Sequence, residues 1–195
     1  VPPSIEEALA GATIIVNCSA SDETVGKGSY RTRLIAGQSA RLIAGYVYAN
    51  AGEGESTTDL VSGGHNIIAE DGTILRQSER YKNEIIYSEI DLEKIVGERR
   101  KNTTFSPEKL NCGCPVVVPF HVGICDTVLT RNFSQHPFVP SDEAARAHIC
   151  DEILTIQAMG LKKRLAHTNC KHAVIGLSGG LDSTLALLVT VRAFD

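Results

Sequence analysis

No run of apolar residues in this chain approaches the roughly 18 that a membrane-spanning helix requires. No signal peptide opens it. Charge of one sign is equally scarce. Lys and Arg number 19 against 23 Asp and Glu, leaving a net charge of −4. That excludes the basic footprint of a nucleic-acid binder or of a protein drawn to an acidic membrane. The longest basic cluster, GERRK at 97–101, reads as a solvated helix end. Internal repeats and low-complexity tracts are also missing. So is an initial Met: the chain opens VPPSIEEALAG. An internal piece of a longer polypeptide is the expectation, so the missing targeting signals exclude little.

What is present is enough for one buried core, or one and a half: 195 residues, 43% of them hydrophobic. The six cysteines fall at 18, 112, 114, 125, 150 and 170. Cys18, Cys125 and Cys150 follow apolar runs, and Cys18, inside a strand sequence, reads as a core thiol. A disulfide framework does not suit a chain of this length, and CGC at 112–114 has the wrong spacing for a zinc knuckle. Reduced cytosolic thiols follow, with a variable loop around 112–114.

Ser4 and Glu7 form a capping box for a helix over 4–10 that ends at Gly11. ATIIVNCSAS (12–21) is short, β-branched and apolar, as a buried parallel strand requires. A helix over 26–45 follows, with Leu34, Ile35, Leu42 and Ile43 at helical spacing and Gly45 closing it. YVYANAG (46–52) gives the next strand, completing a strand–helix–strand unit. Asp71-Gly72 between two extended runs signals a hairpin. EIIYSEIDL (84–92) alternates like a strand, and EKIVGERR is a short helix. From 101 to 140, five of the chain's seven prolines mark a connector. A helix over 141–168 capped by Ser141, a strand HAVIGLS and a helix DSTLALLVTVRAF complete the chain.

Between that last strand and helix lies Gly176-Leu177-Ser178-Gly179-Gly180-Leu181-Asp182-Ser183. Glycines after a strand let the backbone approach an anion, and the following helix start adds partial positive charge. Ser178 and Ser183 add hydroxyl donors. No Lys is present, so this is not a Walker A loop. Asp182 suits either helix capping or the Mg²⁺ that accompanies a nucleotide. Elsewhere, Glu53 and Glu55 read as surface-loop acids. His65 and His121 read as satisfied structural residues.

SGGLDS resembles the PP-loop of the N-type ATP pyrophosphatases, which implies binding of ATP by residues 176–183. GGHNIIAEDGTIL and EALAGATIIVNCSAS resemble the nitrilase superfamily, whose Glu, Lys and Cys hydrolyse C–N bonds. The two in this order, with GATIIVNCSAS, YVYANAGEGESTTDLVSGG, HPFVPSD and VIGLSGGLDSTLAL, resemble the glutamine-dependent NAD⁺ synthetase family. The resemblance implies an α/β fold. It comprises the C-terminal half of a nitrilase-type α-β-β-α sandwich (1–100), a linker (101–140) and the first α-β-α elements of a Rossmann-like PP-loop domain (141–195). It also implies glutamine contacts at Ser21 and Lys27, Mg²⁺ at Asp182, and a glutaminase triad upstream of Val1, so that the chain carries no catalytic residue of its own. Deamido-NAD⁺, glutamine and ATP are the implied ligands, in a cytoplasmic homo-oligomer. Another PP-loop ligase, such as an asparagine or GMP synthetase, and a non-catalytic assembly fragment are the alternatives.

Overall fold

A computed structural model describes residues 3–55, 57, 59–105 and 116–195. The CGC motif with Cys112 and Cys114 lies outside the described residues. The chain forms two compact units, Val1–Arg131 and Asn132–Asp195.

The first unit runs α1 (Pro3–Leu9), β1 (Ile14–Ser19), α2 (Lys27–Leu42), β2 (Gly45–Asn50), β3 (Ile67–Glu70), β4 (Thr73–Gln77) and α3 (Leu92–Lys101). Its four strands lie in the order β1-β2-β3-β4. β1 and β2 are parallel, with Ile14 opposite Gly45, and α2 makes the crossover that such a pair needs. β3 and β4 continue antiparallel. Asp71 (φ 45°) and Gly72 (φ 86°) are both left-handed, the geometry of a two-residue hairpin turn. The core packs Ile35 and Leu42 of α2 and Ala8 of α1 against Ile15, Tyr46 and Ile67 of the sheet. Each fully buried Ile of this set stabilises the unit by about 2 kcal/mol before entropy is counted.

The second unit holds α4 (Glu143–Thr168) and α5 (Leu181–Phe194). Among its described residues, the buried hydrophobics are Ala158 and Ala193. Residues 116–141 form no helix or strand, and those up to Arg131 belong to the first unit.

Several expectations are corrected. Ser4 is inside α1 and buried, so it is not the N-cap of a capping box. Helix α2 stops at Leu42, and left-handed Ile43, not Gly45, ends it; Gly45 already pairs with Ile14 in the sheet. Among the described residues β1 lies at the edge of the sheet and is not covered on both faces. Its alternation leaves Val16 64% exposed and turns Cys18 outward on the same face, so Cys18 is no core thiol. Cys125 and Cys150 are exposed as well, and His121 is exposed rather than packed. Residues 84–91 pair with no strand. Asn66 Nδ2 and the Thr130 amide and hydroxyl tie them down instead, at the Glu84 carbonyl and the Glu89 side chain. Asp142, not Ser141, caps α4, its carboxylate accepting from the Ala145 N–H at 2.7 Å. HAVIGLS forms no strand, because a ladder is made between segments and this unit holds no other strand among its described residues.

The basic cluster at 97–101 is only partly solvated. Arg99 donates to the carbonyls of Ile43, Ala8, Ala12 and Leu42 at 2.8–3.4 Å. It thereby satisfies carbonyls left open at the end of α2. Burial holds its pKa below the ordinary arginine value.

Candidate functional site

The glycine loop sits where the second unit turns into α5. Gly179 is left-handed (φ 83°), a conformation that disfavours any side chain. Gly180 occupies the N-cap position, where no side chain caps the helix. The Ser178 and Ser183 hydroxyls approach to 3.2 Å, and the Gly180 N–H points at the Ser178 hydroxyl at 3.4 Å. Asp182 lies exposed in the first turn of α5, so it does not cap the helix. Gly176 and Leu177 lead into the loop and Leu181 starts the helix, all three exposed. The arrangement puts two hydroxyls and a helix start without a side-chain cap at one open place, which suits an oxyanion. A single carboxylate such as Asp182 fits a Mg²⁺ carried mainly by phosphates and water. Among the described residues, no group of three His, Cys, Asp or Glu side chains is placed to hold a metal alone.

In the first unit, the chain leaving β1 turns at Ser21, Asp22 and Glu23 before α2. Asn50 secures Ser21 at both backbone groups: its side chain accepts from the Ser21 N–H at 2.9 Å and donates to the Ser21 carbonyl at 3.0 Å. Glu23 N–H donates to the Val61 carbonyl at 2.7 Å, and Asp22 bridges Ser62. Lys27 opens α2 behind left-handed Gly26 and pairs with Asp22 at 2.5 Å. That ammonium holds the Asp22 carboxyl below its ordinary pKa. Ser21 lines a cavity of about 570 Å³ between β1, α1 and α2, together with Asn17, Gln38 and Tyr48. Glu53 and Glu55 stand exposed in a short 3-10 turn.

Sequence reasoning missed what lies beneath Ser21. Arg31 and Glu23, each with a side chain 3% exposed, form a buried pair at 2.5 Å. His65, buried, faces the same guanidinium with Nδ1 at 3.2 Å. Since a guanidinium only donates, His65 Nδ1 accepts and its proton sits on Nε2. Burial, and then the Arg31 charge, push the His65 pKa below its ordinary value. Arg80 lies 3.6 Å from the second Glu23 oxygen. A signal for this cluster was present: two consecutive acids before a helix, then bases at 27 and 31, one turn apart.

Residues 153–195, which include the loop and α5, match the family model for NAD synthase. Along its whole length the chain is similar to glutamine-dependent NAD⁺ synthetases. It is 42% identical over 204 residues to the synthetase of that name from Mycobacterium leprae, and 40% identical over 203 to that of Mycobacterium bovis. It spans about 30% of the length of each. Among solved structures, the synthetase from Cytophaga hutchinsonii matches 39% of this chain and 13% of its own at 35% identity, with a TM-score of 0.36. The Acinetobacter baumannii synthetase, in complex with ADP, matches 96% of this chain and 28% of its own at 18% identity, with a TM-score of 0.43.

Proposed function

We propose that this chain is the middle of a glutamine-dependent NAD⁺ synthetase. Residues 1–100 are then the later half of a nitrilase-type glutaminase domain, 101–140 the linker, and 141–195 the start of the PP-loop domain. The observation that carries the reading is the Ser178–Ser183 loop, at a helix start without a side-chain cap, inside the segment that matches NAD synthase. The loop hydroxyls and the backbone N–H groups of the first turn hold the pyrophosphate end of ATP, and Asp182 meets the accompanying Mg²⁺. That ion supplies countercharge to the phosphates. Donors already in place stabilise charge building on the leaving pyrophosphate without reorganising. ATP activates the nicotinate carboxylate of deamido-NAD⁺ as an adenylate, and ammonia from glutamine displaces AMP to give the amide. Ser21 and Lys27 form one wall of the glutamine site. Lys27 offers the substrate carboxylate a point charge rather than a fork.

The test uses the full-length protein. Ser178→Ala should lower ATP–pyrophosphate exchange by about tenfold or more while glutamine hydrolysis continues. Unchanged exchange would remove the loop from the ATP site. Glutamine hydrolysis by the 195-residue chain alone would overturn the placement of the Glu, Lys and Cys triad before Val1.

A further inference from the structure

One guanidinium touches three consecutive residues of the turn after β1. Arg31 Nη2 lies 3.5 Å from the Ser21 hydroxyl and 3.4 Å from the Asp22 carbonyl, and Nη1 lies 2.5 Å from Glu23 Oε1. Its side chain is 3% exposed. Nothing in this arrangement lets Arg31 reach a ligand directly. Its influence must pass through the turn.

The turn bears Ser21, one residue assigned to the glutamine wall, and reaches the other, Lys27 at the start of α2, through Asp22. Ser21 receives the guanidinium at its hydroxyl. Lys27 is fixed by Asp22, and the Asp22 backbone is held by Arg31. Lys27 and Arg31 are four residues apart on α2, so two adjacent acids on the turn meet two bases stacked on one helix face. The far side is closed as tightly. A Cβ on Gly63 would come within 2.5 Å of Glu23 Cγ, so the Glu23 side chain lies where it does only because residue 63 carries no side chain. A buried ion pair is a poor way to gain stability, since apolar side chains of similar volume do as well or better. What it supplies that apolar packing does not is direction, because the planar fork fixes where its acceptors lie.

We infer that Arg31 is a positioning residue for the glutamine wall, holding Ser21 and Lys27 in one arrangement through the turn Ser21–Glu23. The inference rests on the proposed reading of Ser21 and Lys27 as glutamine contacts. It adds that the specificity of the site depends on a buried clamp of Arg31, Glu23 and Gly63 that never meets the substrate.

The full-length protein carrying Arg31→Lys keeps the charge but loses the fork. It should raise the KM for glutamine by about tenfold while kcat at saturating glutamine moves less than about threefold. Glu23→Gln, which keeps the shape and removes the partner charge, should show the same split, and it serves if Arg31 variants fold poorly. Combining Arg31→Lys with Ser21→Ala should raise KM by less than the product of the single effects, because both act on one hydroxyl. A parallel fall in kcat and melting temperature with KM unmoved, or strictly multiplicative effects, would make Arg31 a structural residue only and overturn the inference. If Ser21→Ala and Lys27→Met alone leave KM unchanged, the glutamine wall itself is misplaced and the inference falls with it. If those two raise KM and the clamp variants do not, the wall stands and the clamp fails.

Discussion

Arg131 and Arg192 each hold a carboxylate at 2.8 Å, yet the two ion pairs belong to different kinds of structure. Arg131 grips Glu70 with both nitrogens, at 2.8 and 2.9 Å, and Glu70 is fully buried. The Asp91 N–H adds a third bond at 2.7 Å, with Lys94 Nζ at 3.4 Å. In the second unit Arg192 is 41% and Asp151 66% exposed. The first unit can bury a charge because it has a sheet with a covered face. The second has two helices with little between them, and apolar side chains such as Val174 and Leu181 remain 99% and 90% exposed. Geometry alone therefore does not rank these pairs. Burial and the number of satisfied bonds do.

The largest expected effect breaks the buried pair. Glu70→Ala strands Arg131 and the Asp91 N–H and should destabilise the first unit by about 3–5 kcal/mol. The five tyrosines, 30, 46, 48, 81 and 87, all fall in that unit and the chain has no Trp, so tyrosine near-UV circular dichroism reads its unfolding. A loss under about 1 kcal/mol would place Glu70 among ordinary surface acids.

Acid should separate the buried groups of the same unit. Burial of His65, assisted by Arg31, lowers its pKa from 6.5, so the unfolded chain takes up that proton first. Its contribution is whole above 6.5 and is lost as pH falls toward the lower folded value. For Glu70, burial alone would raise the pKa, but the Arg131, Asp91 and Lys94 bonds outweigh it and hold the group below 4.5. Its contribution is whole above 4.5 and is lost as pH falls through the folded value. Stability of the first unit should thus decline in two stages, the first absent in His65→Asn and the second in Glu70→Gln. A stability that rises as pH falls from about 6.5 to 5 would contradict the neutral, accepting His65.

A smaller effect tests the second unit. Asp142→Ala removes the cap of α4 and should cost about 1 kcal/mol, confined to the first turn. Hydrogen exchange at the Ala145 amide should speed up about fivefold with the tyrosine signal unchanged. Uniform loosening of α4 and α5 would mean that the two helices stand or fall with that cap.

The same contrast explains what was legible in the sequence. Periodicity and turn chemistry act locally, so α2, α3, the Asp71-Gly72 hairpin and α5 were all readable. HAVIGLS carries a strand pattern that needs neighbours, and pattern cannot say whether neighbours are there. Cys18 shows the converse error. Apolar sequence around it suggested burial, but alternation in an edge strand sends it to the open face. At the site, the loop residues Ser178 and Ser183 could be picked out because adjacent positions build the whole feature. For Arg31 and Glu23 the acid and base spacing was only a hint, and His65 gave none, because their meeting depends on the turn after β1 folding back over α2.

The smallest effect belongs to the exposed pair of the second unit. Arg192 holds the Asp151 carboxyl below its ordinary pKa, and the bond length equals that of the buried pair. Water nonetheless competes for both partners, and two long side chains must be ordered to make the contact. A double-mutant cycle on Asp151→Ala and Arg192→Ala, read by hydrogen exchange in α4 and α5, should show no coupling beyond experimental scatter. The absence should persist when salt is raised to about 1 M, where the screening length is near 3 Å. The same salt should leave the Glu70–Arg131 coupling largely intact, since buried charges are screened much less. Strong, salt-resistant coupling between Asp151 and Arg192 would show that this contact is covered in solution.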